Sequence, residues 1–244
     1  MIKKITAIIL IALLCISFAA CGKEKAEEEK VDYNEIITFE TIKENIKNSD
    51  GKKVCTYKMV KPVWNGKTVD EGLFFNNIFD EIVTSGKSDA LTMVENDLAT
   101  QENNWSFTGE CEVTYYDGKI LSIKYTKVMA NENGLDTEIV TGITFDIEAE
   151  KRVDIGEFST NETDYVCNRL SQIAKEKVLA KKFDGSHEFS VLRNNIDAEN
   201  FYFTEHNLII VFDRYAITHE GSGTVECTYD ISDVFKFIDK IPMV

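Results

Sequence analysis

The chain has 244 residues, 43% of them apolar and 11% aromatic, with two prolines and a formal net charge of −15. That apolar content excludes a wholly disordered chain and suffices for one large or two small domains. The acidic balance disfavours nucleic acid and anionic lipid surfaces and favours basic partners or cations, although plain solubility of an exported protein also accounts for it.

Met1 to Ala20 starts with Lys3 and Lys4, continues as an apolar run from Ile5, and ends in Phe18–Ala19–Ala20 before Cys21. The run falls short of the roughly 20 residues that a spanning helix needs, and small residues precede the cysteine, so it reads as a secretory signal. A cysteine directly after the small pair is the lipoprotein pattern, with Cys21 lipidated and becoming the new N-terminus. That expectation places the protein on the extracytoplasmic face of a cell membrane, held by acyl chains worth about 0.8 kcal/mol per buried methylene. Loss of the segment with its two lysines takes the mature chain to −17. Gly22 to Lys30, GKEKAEEEK, cannot bury a core and reads as a solvated tether. The expected organisation is a signal peptide over 1–20, lipidated cysteine and acidic tether over 21–33, and α+β subdomains over 34–130 and 131–244.

Ile36 to Ile46 and Val54 to Val60 flank an Asn48–Ser49–Asp50–Gly51 turn and read as a hairpin, although the first segment also suits a helix. Pro62 to Gly66 reads as a turn. Phe74, Phe75, Ile78, Phe79 and Ile82 recur at helical spacing, and Ser85–Gly86 is expected to end that helix before a second one, Ser88 to Thr100. A meander follows. Trp105 to Tyr115 alternates apolar and polar, Asp117–Gly118 is a strong hairpin signal, and Leu121, Ile123 and Tyr125 continue the buried face. Asn131 to Gly134 turns the chain into Thr137 to Ile147. Asn161 or Thr163 is expected to cap a long helix reaching about Lys182. Phe201–Phe203, Leu208–Ile217 and Thr224–Ile231 read as three antiparallel strands, the middle one apolar on both faces. Ser232 to Ile238 closes the chain as a short helix. The fold class is therefore α+β, with antiparallel sheets backed by helices.

Once Cys15 leaves and Cys21 is lipidated, Cys55, Cys111, Cys167 and Cys227 remain. Export permits pairing, whereas their apolar neighbours suit buried free thiols; both readings stand. The spacings contain no CxxC, which disfavours zinc.

Ile143–Thr144–Phe145–Asp146–Ile147 followed by Arg152 to Phe158 resembles the signature of a family of exported bacterial domains of unknown function. So do the long helix after it and the block Phe201–Thr204, Leu208–Phe212, Tyr215–Ile217 and Gly221/Gly223. Upstream, Tyr57 to Pro62 and Asn76–Ile78 resemble that family's companion N-terminal region. The family includes the RsiV-like region of the lysozyme-sensing anti-sigma-V factor and the segment preceding the catalytic domain of PdaC-type peptidoglycan deacetylases. The chain departs from it at Glu148–Lys151, where a glycine turn is usual, and is expected to lack the sigma-binding segment, transmembrane helix and deacetylase domain of those proteins.

The resemblance implies an envelope-facing binding module, with lysozyme or peptidoglycan as possible partners. Its candidate contacts are Asn131, Asp136, Tyr215, His219, Gly221 and Gly223. A scaffold role in an envelope complex and a wall-active hydrolase using paired carboxylates are the alternatives. No catalysis is expected. Thr144–Phe145–Asp146 resembles the TFDDG metal motif of polysaccharide deacetylases only superficially, since Ile147–Glu148 follow it. His187, His206 and His219 lie in expected turns and form no HExxH. No cofactor or metal is implied.

Overall fold

The computed structural model describes residues 32–48, 50–65, 72–97, 104–132, 134–179, 189–213, 216 and 224–241. The signal segment, Cys21 and residues 22–31 lie outside them, while Asp32 and Tyr33, expected at the end of the tether, open a 3-10 turn (Tyr33–Glu35) that Asp32 caps.

The first hairpin forms as expected: β1 (Ile37–Lys47) pairs antiparallel with β2 (Lys53–Trp64). Gly51 takes φ 78° in the turn, where Asn48 Oδ1 accepts the Asp50 and Lys52 N–H groups at 3.1 and 2.9 Å. The turn expected at Pro62 is absent; Pro62 lies within β2, opposite Phe39. Beyond Met59, β2 pairs only with β1, and such a free edge tolerates a residue with no N–H.

Helix α1 is one helix, Leu73–Asp97, where two were expected. Gly86 does not end it. The residue is buried over the sheet, and a Cβ there would meet the Met59 methyl at 3.2 Å and the Phe107 ring at 3.3 Å. The glycine marks close helix–sheet approach rather than a cap. As a crossover, α1 makes β2 and β3 (Trp105–Tyr116) parallel, the one parallel pair of the sheet. Antiparallel β4 (Ile120–Asn131), β5 (Gly134–Asp146) and the two-residue β6 (Lys151–Arg152) complete a six-stranded sheet in the order β1-β2-β3-β4-β5-β6. The boundary expected between 130 and 131 falls at the β4–β5 hairpin, and the sheet continues across it.

The face under α1 holds the first core, with Tyr57, Met59, Phe75, Phe79, Phe107, Tyr125 and Phe145 at most 1% exposed. Its phenols find partners: Tyr57 donates to the Val83 carbonyl at 2.6 Å and Tyr125 to the Val60 carbonyl at 2.9 Å. A register shift between Val113 and Tyr115 re-aims β3, so that Tyr115 joins the second core while Tyr116 packs on the first.

After β6, Asp154 caps a 3-10 turn (Ile155–Phe158) in a capping box with Glu157. The long helix is α2 (Thr163–Ile173), which continues as a π-helix over Ala174–Leu179. Neither Asn161 nor Thr163 caps it. Its N-cap is Glu162, without a side-chain bond; Asn161 turns to Ser159, and the Thr163 hydroxyl reaches Asp154 at 3.3 Å. A short helix, α3 (Phe189–Asn194), was missed and is tied to α2 through Arg193 and Asp164 at 2.6 Å.

The second sheet is β7 (Phe201–Phe203), β8 (Asn207–Phe212) and β9 (Val225–Asp230), all antiparallel with β8 central. β8 is buried on both faces from Leu208 to Phe212, as expected, but stops at Phe212 rather than Ile217. One face packs with α2 and Phe158, the other on Val140 of β5. The last helix, α4 (Ile231–Val234), is a single turn capped by Asp230, shorter than Ser232–Ile238. The tail then docks: Ser159 donates to the Phe237 carbonyl at 2.6 Å and Thr160 to Asp239 at 2.8 Å. None of Cys55, Cys111, Cys167 and Cys227 is in a disulfide.

The two sheets meet where β7 crosses β5. A Cβ on Gly142 would lie 2.5 Å from the Phe201 carbonyl carbon and 2.7 Å from its oxygen. Gly142→Ala is therefore expected to destabilise the fold by about 3 kcal/mol, because the obstacle is backbone; a lower urea midpoint at unchanged m-value would establish it. Glu150 sits at φ 52° in the β5–β6 turn, in the left-handed region that favours glycine. Glu150→Gly should stabilise by about 0.5–1 kcal/mol, the left-handed penalty less the glycine's entropy. A midpoint that falls instead would contradict this.

Candidate functional site

Of the sequence-derived candidates, Tyr215, His219, Gly221 and Gly223 lie outside the described residues. Asn131 ends β4 opposite Gly134, and Asp136 falls at a register shift of β5. The described residues on either side of 217–223 lie against β5. Thr224, which enters β9, donates its N–H to the Glu138 carbonyl at 3.3 Å, and its hydroxyl accepts the Val140 N–H at 2.8 Å. At the other flank, Asp213 accepts from Asn200 at 3.3 Å, and the Ala216 N–H donates to the Asp213 carbonyl at 3.0 Å. The β8–β9 connection thus begins and ends beside β5, near the β4–β5 hairpin. Glu132 of that hairpin accepts from Asn104 at the start of β3. The structure therefore brings the flanks of the two sequence-flagged loops to one end of the molecule. Glu132, Glu138 and Asp213 are exposed there.

A second polar group, not anticipated from sequence, lies between the sheets. Lys124 of β4 contacts Glu226 of β9 at 2.9 Å, and Tyr202 of β7 donates to the same carboxylate. The Lys124 ammonium also stands 5.9 Å from the Tyr202 ring centroid. Lys124 and Glu226 are 102 residues apart, so no local signal could have found the cluster. Burial, then the bond to Glu226, then the charges of Glu226 and Glu112 push the Tyr202 phenol far above its ordinary range. The phenol stays protonated and donates. The arrangement ties one sheet to the other.

The motif Thr144–Phe145–Asp146 is structural here. Thr144 donates to the Phe201 carbonyl at 3.1 Å, Phe145 lies in the first core, and Asp146 accepts the Ala149 N–H at 2.9 Å. His206 is exposed in the β7–β8 turn; His187 and His219 lie outside the described residues. Among the described residues no three His, Cys, Asp or Glu side chains are grouped to hold a metal, and no helix is long and apolar enough to cross a membrane.

No family model matches the sequence, and no curated protein matches it. Two solved structures share the fold. A DUF3298 family member from Bacteroides fragilis is 13% identical, with a TM-score of 0.50 over 82% of this chain and 93% of its own. A DUF3298 family protein from Pseudomonas aeruginosa is 12% identical, with the same TM-score and coverage. At that identity the likeness is one of fold.

Burial also raises Tyr57, to about 12, and pushes up Tyr125 and Tyr229. Each folded-state pKa lies above the unfolded value, so above about pH 10 the unfolded chain binds fewer protons than the folded one. Their stabilising contribution is complete below that pH and is lost as pH rises. Titration should show stability falling beyond about pH 10, with the buried tyrosinate absorbance appearing only as near-ultraviolet dichroism is lost. Buried tyrosines that ionise while the fold stays intact would contradict it.

Proposed function

We propose that the protein is a lipid-anchored, extracytoplasmic binding module of the bacterial cell envelope, whose acidic loop end receives a cationic partner. The observation that carries this reading is the convergence of the β4–β5 hairpin with the flanks of the β8–β9 connection. Among the described residues, Glu132, Glu138 and Asp213 stand exposed in those segments. Acidic loops on a rigid two-sheet frame suit recognition of a basic surface, because complementary potentials steer encounter before contacts form. The resemblance to lysozyme-sensing domains supports an envelope role, and lysozyme is the basic protein that resemblance suggests. Cys21 supplies the anchor, and the acidic tether separates the domain from the bilayer.

Immobilised mature protein is expected to retain lysozyme at low ionic strength and to release it as salt shortens the screening length. Glu132→Gln/Glu138→Gln should weaken retention. Lysozyme passing through at low salt would remove it as the partner. In cells, Cys21→Ala should move the protein from the membrane to the soluble extracytoplasmic fraction; unchanged membrane retention would refute the anchor.

A further inference from the structure

The β1–β2 hairpin breaks the charge pattern of the chain. Over Thr41–Lys61 there are six lysines against two acids, in a protein whose net charge is −15. The antiparallel register sets Lys43 directly opposite Lys58 and Lys47 directly opposite Lys53. Like charges in directly opposed positions destabilise a sheet. All four side chains are exposed, as is Lys52 in the turn. None of these five ammonium groups has an ion-pair partner among the described residues, although acids stand close in sequence. Glu44 is committed to Lys87 of α1 at 2.7 Å, and the sixth lysine, Lys61, is committed to Asp80 of α1. Both acid-paired residues project to the helix side, which leaves Lys43 and Lys58 on the opposite face by strand alternation.

That face also carries polar neighbours. Lys58 is in register with Thr108 of β3; one pair along, Asn45 opposes Thr56, which is in register with Ser106. β1 is the sheet edge, so the strip is open to solvent along one side.

We propose that the outer face of the β1–β2 hairpin is a binding site for a linear, phosphate-bearing polyanion, whose negative charges lie along the Lys43/Lys58 and Lys47/Lys53 pairs. Lysine ammonium groups act as point charges toward phosphate, and the flanking hydroxyl and amide groups offer hydrogen bonds. From Lys43 to Lys47 the strand advances about 13 Å, long enough for several charges of an extended chain. A linear chain fits better than an anionic bilayer. The acidic β4–β5 hairpin lies at the same end of the sheet as the β1–β2 turn, so a charged plane would meet repulsion there, whereas a thread can follow the strip. The inference does not rest on the acidic end having a partner; polyphosphate binding and lysozyme retention are separate readouts, and either can fail alone.

The test titrates the mature protein with inorganic polyphosphate at low salt, beside vesicles of equal parts phosphatidylglycerol and phosphatidylcholine. Polyphosphate should bind, with the logarithm of its affinity falling linearly with the logarithm of salt concentration. Lys43→Gln/Lys58→Gln should weaken binding by about tenfold and shallow the salt slope by about one to two, while the control Lys175→Gln/Lys236→Gln changes neither. Lys43→Glu converts a like pair to an opposite pair and should raise Tm while weakening binding, an outcome that general loss of structure cannot produce. No binding of polyphosphate by the wild type, binding undiminished in both hairpin variants, or preference for the vesicles would overturn the proposal.

Discussion

The fold depends on one close crossing, the passage of β7 over Gly142 of β5. A β-strand edge beside a second sheet leaves N–H and C=O groups that must be satisfied or they cost free energy. Here two side chains and one backbone N–H beyond β6 do the work of a further strand. Asn200 accepts the Gly142 N–H at 2.8 Å, Thr224 accepts the Val140 N–H at 2.8 Å, and the Thr144 carbonyl accepts the Val153 N–H at 3.0 Å. Only glycine lets the Phe201 backbone come near enough for Asn200, its neighbour, to reach. Ser122 and Thr144, bonded to each other at 2.8 Å, extend the buried polar seam from β4 to β7. The same crossing sets Thr224 beside Glu138 and so brings the β8–β9 flank to the β4–β5 end. A packing constraint in the interior thereby locates the candidate binding surface.

Charge is sorted over this frame rather than spread. The inter-sheet cluster of Lys124, Tyr202 and Glu226 is internally matched, each member facing a complementary one. The acidic loop end and the lysine-bearing hairpin are not matched within the described residues. Partly buried, neutralised groups hold structure, whereas exposed charge of one sign leaves interaction energy for something outside the chain. The two surfaces have opposite sign and stand on different strands of one sheet.

Much of the architecture was legible because it is local. Alternation in β3 and β4, the helical stripe of Phe75 and Phe79, and the doubly apolar run Leu208–Phe212 are periodic signals that survive without tertiary information. Turns at Asn48–Gly51 and Asn131–Gly134 follow from residue chemistry. The misreadings share a cause. Gly86 and Pro62 look like stops in one dimension, yet one is a contact point for Met59 and Phe107 and the other lies on a strand segment whose far edge is free. The parallel β2–β3 pairing could not be read from alternation, which is the same in either direction. Of the candidate residues, Asn131 and Asp136 fall in the β4–β5 hairpin, whose turn the sequence signals. Neither the Lys124–Glu226 contact nor the opposition of Lys43 and Lys58 could be seen, since cross-strand register is a property of the folded pair.

By itself, the order of residues determined an α+β chain with an acidic composition, because periodicity and composition act over a few residues at a time. The tertiary structure alone decided which strands are neighbours, which lysines face one another, and which loops share an end. Those outcomes depend on backbones approaching within a few ångströms across a hundred residues of chain, and the missing side chain at Gly142 permits the closest of them.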